Sequence, residues 1–124
     1  MNLDKYFDLF DRSRTSEEAM EELNGLFTDD MVFVLNGSRK QGLDQWKLFM
    51  KQVFTNNTDI KHMYEGWEKV EGTDAYETRW AVCGKLANGK VYTQTGKDIA
   101  RLDEAGRISY LENVPDQQDL FQGY

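Results

Sequence analysis

Asp98 carries the most pointed chemistry in this sequence. Alternation along residues 94–102 puts Gln94, Gly96, Asp98, Ala100 and Leu102 on one face of a strand and Thr95, Lys97, Ile99 and Arg101 on the other. The first face is small and apolar around a single carboxylate, so it is expected to point inward. A buried carboxyl without a cationic partner resists ionisation and keeps its proton, which makes it a hydrogen-bond donor. The competing reading is a surface aspartate paired with Lys97 or Arg101. His62, the one histidine, shares a strand face with Ile60 and Tyr64. Histidine is the side chain whose ordinary pKa suits a proton acceptor near neutrality, although a hydrogen-bonded core or rim histidine has the same pattern. Tyr6 sits in an apolar helical stripe, where its hydroxyl serves either as a second donor or as a wet edge of the core. Two donors and one base suffice for isomerisation, dehydration or cyclisation of a carbonyl or hydroxyl compound without a cofactor.

Around these three candidate catalytic residues stand candidate pocket walls. Trp80 shares a face with Tyr76, Thr78 and Val82, and Asn113 one with Ser109 and Leu111. As an amide, Asn113 can hold a carbonyl or hydroxyl but cannot abstract a proton. Trp46, Tyr64, Trp80, Leu111 and Asn113 are the expected ligand-binding set. Cys83 is the single cysteine, so no internal disulfide can form, and with no neighbouring base it reads as a buried structural thiol. One histidine and one cysteine cannot build a zinc cluster, and no spaced carboxylate loop is present. No metal or cofactor is expected.

Periodicity supplies the elements that must position these groups. Leu3, Tyr6, Phe7 and Phe10 recur at helical spacing. Thr15 and Glu18 have the capping-box spacing ahead of Ala19, Met20, Leu23, Leu26 and Phe27, a second helix ended by Thr28-Asp-Asp30. Met31-Val-Phe-Val-Leu35 reads as a strand closing in Asn36-Gly37, followed by a polar stretch from Ser38 to Gly42. Leu43, Trp46, Phe49, Met50, Val53 and Phe54 mark a third helix. The period then changes to two, with strands expected over 59–70, 75–86, 90–102 and 107–114, separated by Gly-bearing turns and closed by Pro115. Helices first and antiparallel strands afterwards define an α+β domain, with a long, strongly twisted sheet curling around the N-terminal helices. A sheet of that form encloses a pocket. The whole chain, 1–124, is read as one such domain.

Composition removes the large alternatives. The 124 residues carry 22 Asp and Glu against 15 Lys and Arg, a net charge of −7, and show no basic patch. A phosphate-binding surface needs the opposite field, so nucleic acid is not an expected partner. The longest apolar run, Met31 to Leu35, is far short of the ~20 residues that cross a bilayer, and the N-terminus lacks the basic start of a secretory signal. A cytoplasmic location is therefore expected.

The order of elements and three runs resemble the cone-shaped fold of nuclear transport factor two, ketosteroid isomerase and the SnoaL-type polyketide cyclases. Asp98-Ile-Ala-Arg-Leu-Asp-Glu-Ala-Gly-Arg-Ile108 looks like that group's penultimate hairpin, Lys5-Tyr-Phe-Asp-Leu-Phe-Asp11 like its first helix, and Thr28-Asp-Asp30 like its approach to the first strand. The resemblance implies a SnoaL-like pocket in which Tyr6 and Asp98 occupy the oxyanion-hole positions of the isomerases. It also implies departures. The isomerase base falls at Leu35 and the cyclase aspartate near Asn113, while some cone-fold dehydratases carry a histidine corresponding to His62. Two functions follow: an isomerase, dehydratase or cyclase acting on a small apolar carbonyl or hydroxyl compound, or a non-catalytic ligand-binding or dimerisation module. A homodimer through the sheet is expected from the alternation of Ile108, Tyr110 and Val114 along the last strand.

Overall fold

The structure, a computed structural model, describes residues 1–117. A single 3-10 turn over Asn2–Lys5 leads into α1 (Tyr6–Arg12), followed by α2 (Glu17–Asn24), β1 (Phe27–Leu35), β2 (Ser38–Gln41) and α3 (Leu43–Asn56). The remainder is β3 (Asn57–Tyr64), β4 (Glu68–Lys69), β5 (Tyr76–Leu86), β6 (Val91–Leu102) and β7 (Ile108–Pro115). The strands form one sheet in the order β2-β1-β7-β6-β5-β3, with β4 paired to β5. All pairings are antiparallel except β1 with β7, which is parallel and joins the early strand to the late meander. The expected α+β class and three helices are thus observed.

Helix α1 buries Tyr6, Phe7, Leu9 and Phe10, and α3 buries Trp46, Phe49, Met50 and Val53 at spacings of three and four. These stripes join the inward residues of the strands in one core that includes Phe27, Phe33, Ile60, Trp80 and Leu111. Helix α2 starts one residue later than its sequence suggests. Ser16, not Thr15, is the cap, and its hydroxyl accepts from the Ala19 N–H at 3.1 Å. Leu26 and Phe27 then fall outside the helix, because the strand opens already at Phe27.

The polar stretch after Asn36-Gly37 is a strand. Both turn residues have positive φ, +49° and +87°, the geometry of a tight two-residue hairpin, and β2 returns along β1 as a largely exposed edge. The strand expected over 59–70 is broken between Tyr64 and Glu68, where Gly66 takes φ +135° and donates its N–H to Thr78 Oγ1 at 3.1 Å. On β7, Arg101 faces Tyr110 but Leu102 faces Ile108, so Ser109 is an extra residue in the ladder. That bulge turns Ile108 into the core, where it is fully buried. It therefore does not alternate with Tyr110 and Val114, and the apolar outer patch expected for a sheet-mediated homodimer loses its first member. Cys83 corrects another expectation: it lies between the buried Val82 and Gly84, so alternation aims it outward and it is exposed.

Candidate functional site

Between the helices and the inner face of the sheet lies a cavity of about 70 Å³. Its polar lining includes Tyr6 from α1, His62 from β3, Asp98 from β6 and Asn113 from β7, together with Asn57 and Tyr92, whose hydroxyl donates to Asn57 Oδ1 at 2.6 Å; Trp46, Trp80 and Leu111 are among the apolar walls. All three expected catalytic residues and four of the five expected binding residues therefore meet in one place. Tyr64 does not. Its ring stacks on Phe7 at 5.0 Å and its hydroxyl donates to the Asp4 carbonyl at 3.1 Å, so Phe7 stands between it and the cavity. A volume of 70 Å³ is well below the ~300 Å³ at which pockets for drug-sized ligands begin. Occupants of this cavity must be compact.

Asp98 is 2 % exposed, and among the described residues no cation pairs with it. Burial pushes its carboxyl up to about 7, against hydrogen bonds from Trp80 and Asn113 that pull the other way. Both of those bonds end on the same oxygen: Trp80 Nε1 donates to Oδ1 at 2.9 Å and Asn113 Nδ2 donates to Oδ1 at 3.0 Å. With two N–H donors on it, Oδ1 acts as the carbonyl oxygen of the acid, which leaves the carboxyl proton on Oδ2. The register explains how the indole gets there. Trp80 lies directly opposite Gly96, and a Cβ at Gly96 would run into the Trp80 ring and come within 2.7 Å of the Val114 carbonyl oxygen. Glycine opens the space across which Trp80 reaches the next inward residue of β6.

Tyr6 is buried, and its hydroxyl is held well above its ordinary pKa by burial first and then by the nearby Asp98 and Asp11 carboxylates. It remains a proton donor throughout the accessible pH range. His62 has a partner that sequence reading missed. Asp11, at the end of α1, accepts from the His62 backbone N–H through Oδ2 at 2.7 Å and contacts His62 Nδ1 through Oδ1 at 2.6 Å. A carboxylate can only accept, so Nδ1 carries the proton and Nε2 is left as the basic nitrogen. Asp11 sits four residues after Phe7 and next to Phe10, on the buried stripe, which is the signal that would have found it. Phe7 and Phe10 hold the imidazole between them, at ring-centroid distances of 5.3 and 4.9 Å. Leu35 and Asn113, the positions at which the resembling enzymes carry carboxylates, pair with each other across β1 and β7 and both line the cavity.

No group of three or more His, Cys, Asp or Glu among the described residues could hold a metal ion. The cavity offers the donors Tyr6 and Asp98, the oriented acceptor His62 and the amide of Asn113, beside an Asn57–Tyr92 pair bonded to each other, in a largely aromatic and aliphatic shell.

The sequence matches the SnoaL-like domain model over residues 3–111, and the chain belongs to that family. Its fold is shared by an NTF2-like (nuclear transport factor two-like) protein of unknown function from Exiguobacterium sp. 255-15, at 59% identity and a TM-score of 0.92, covering 94% of this chain and 99% of that one. A Mycobacterium tuberculosis protein solved in complex with estradiol-17beta-hemisuccinate has the same fold at 16% identity and a TM-score of 0.74, covering 90% of this chain and 88% of that one. So does a candidate polyketide cyclase from Xanthomonas campestris pv. campestris, at 16% identity and a TM-score of 0.73, covering 91% and 86% of the two chains. None of the curated proteins compared matches the chain. Among the described residues, no helix is long and apolar enough to cross a membrane.

Proposed function

We propose that the cavity is a cofactor-independent acid–base site for a small, largely apolar carbonyl or hydroxyl compound, working as an isomerase, dehydratase or cyclase. The observation that carries this reading is His62, held by Asp11, on the lining of the same cavity as Asp98. His62 Nε2, with its tautomer fixed by Asp11, takes a proton from the carbon next to the carbonyl. Tyr6 and protonated Asp98 donate to the oxygen on which charge develops. This division of labour supplies a base at a place other than Leu35 and Asn113, whose side chains cannot take a proton.

Acetone and other short-chain ketones, including β,γ-unsaturated and β-hydroxy ketones, followed by proton NMR in D2O test it. Deuterium uptake at the α-carbon, double-bond migration and loss of water are separate signals in one spectrum. The wild-type protein is expected to accelerate α-deuteration of at least one class, and His62→Gln to reduce that rate about a hundredfold. Acceleration within threefold of wild type in both His62→Gln and Asp98→Asn would remove the assigned roles.

A second reading is a pocket that binds without turnover, supported by the cavity's small volume and by the amide at Asn113. Saturable binding of a ketone with no α-deuteration selects it.

A further inference from the structure

The amide of Asn113 is only half used. Its Nδ2 donates to Asp98 Oδ1 at 3.0 Å, while its Oδ1 is buried and meets no donor among the described residues. The structure turns the amide nitrogen toward the Asp98 oxygen that also accepts from Trp80, so both bonds end on one carbonyl-type oxygen. Both residues line the cavity, next to each other across the β6–β7 pair at register Asp98↔Asn113. The corner they make therefore offers one donor, the carboxyl proton on Asp98 Oδ2, and one acceptor, Asn113 Oδ1.

We infer that this corner is built to hold a hydroxyl group, and that the hydroxyl form of the ligand is bound in preference to the matching ketone. A hydroxyl can accept from Asp98 and donate to Asn113 at the same time. A carbonyl oxygen can only accept, and it leaves Asn113 Oδ1 desolvated without a partner. Leaving a buried polar atom unpaired is more costly than the average gain from making one bond, so such sites discriminate strongly. The inference rests on the reading of the cavity as a ligand site, and it narrows the ligand class to compact, short-chain hydroxyl compounds. Asn113 acts here as a specificity residue: it touches the ligand's hydroxyl and moves no proton to or from carbon.

2-Propanol and acetone, matched in size, differing in this one group and small enough for the cavity, are the probes. Binding is followed at pH 5.5 through the indole N–H resonances of the intact protein, where Trp80 reports directly on the occupied corner. The expected result is that 2-propanol binds at least about fivefold more tightly than acetone, and that Asn113→Leu reduces the preference to less than twofold. Equal affinities in the wild-type protein would overturn the inference and would mean that Asn113 Oδ1 is met by the carboxyl proton of Asp98 itself. Failure of both probes to bind would overturn it as well. Should Asn113→Leu not fold, the wild-type comparison decides alone. Equal affinities alongside persistent α-deuteration would remove the hydroxyl inference and leave the acid–base reading standing. A clear hydroxyl preference without any deuteration would do the reverse.

Discussion

Replacing Asp98 by asparagine separates the proton on Asp98 from everything else that residue does. Asparagine keeps an Oδ1 that can accept from both Trp80 and Asn113, and its Nδ2 stands where the protonated Oδ2 was. Only the ability to ionise is lost. In the folded protein the carboxyl titrates near 7, against an ordinary value of 3.8. The folded state therefore binds the proton more tightly than the unfolded chain, and the stability this gives is full below about pH 4 and drains away as pH rises through 7. A shift of about three units corresponds to roughly 4 kcal/mol over the whole window. Between pH 5.5 and pH 8 the share lost is about 2 kcal/mol, because part of the fall has already occurred by pH 5.5. Urea unfolding of wild type and Asp98→Asn at these two values, followed by tryptophan fluorescence, reads the difference. Carboxylates common to both proteins cancel in the comparison. The expected outcome is that Asp98→Asn gains about 2 kcal/mol on wild type from pH 5.5 to pH 8. A stability difference that does not change with pH would refute the claim that Asp98 holds its proton in a closed, cation-free site.

Three further outcomes follow from the same geometry. Trp80→Phe removes one of the two donors that hold the Asp98 pKa down, so the pH at which wild-type stability falls moves upward, visible in the same unfolding series. Gly96→Ala forces a Cβ into the Trp80 ring and the β7 backbone; a loss of about 1–3 kcal/mol is expected, together with a shifted Trp80 indole resonance, and a variant as stable as wild type would show that the indole does not need that space. Cys83 lies on the outer face, so the folded protein is expected to react with a thiol reagent at nearly the rate of the urea-unfolded chain. Full protection in the native state would place a partner over that face.

The sequence made the inward face of β6 legible because Gly96, Asp98 and Ala100 alternate cleanly with charged or larger residues, and the structure buries all three. The same period placed Trp80 on the wall and aimed the α1 and α3 stripes at the core. What it could not carry were effects of register and of tertiary pairing. The bulge at Ser109 reverses the face of Ile108 without any glycine or proline to announce it. Strand β2 is polar and half-solvated, so it has no apolar alternation to read, and only its pairing with β1 defines it. Residue type favours burial for Cys83, but the buried neighbours Val82 and Gly84 on the same strand fix the opposite face. Asp11 and His62 are 51 positions apart, and only the packing of α1 against β3 brings them together. The family resemblance pointed to Leu35 and Asn113 as lost carboxylates. The base that takes their place in the proposed site comes from a helix end and a different strand.

A protein with one histidine permits a direct test of that base. With histidine labelled with 15N in the ring alone, the spectrum contains only the two ring nitrogens of His62, and their one-bond proton couplings report the tautomer. The account predicts that the neutral ring carries its proton on Nδ1, that Asp11→Asn abolishes this preference, and that a bound small ketone or alcohol shifts Nε2 far more than Nδ1. A ring protonated on Nε2, or an Nε2 resonance indifferent to a ligand that shifts the Trp80 indole, would contradict it.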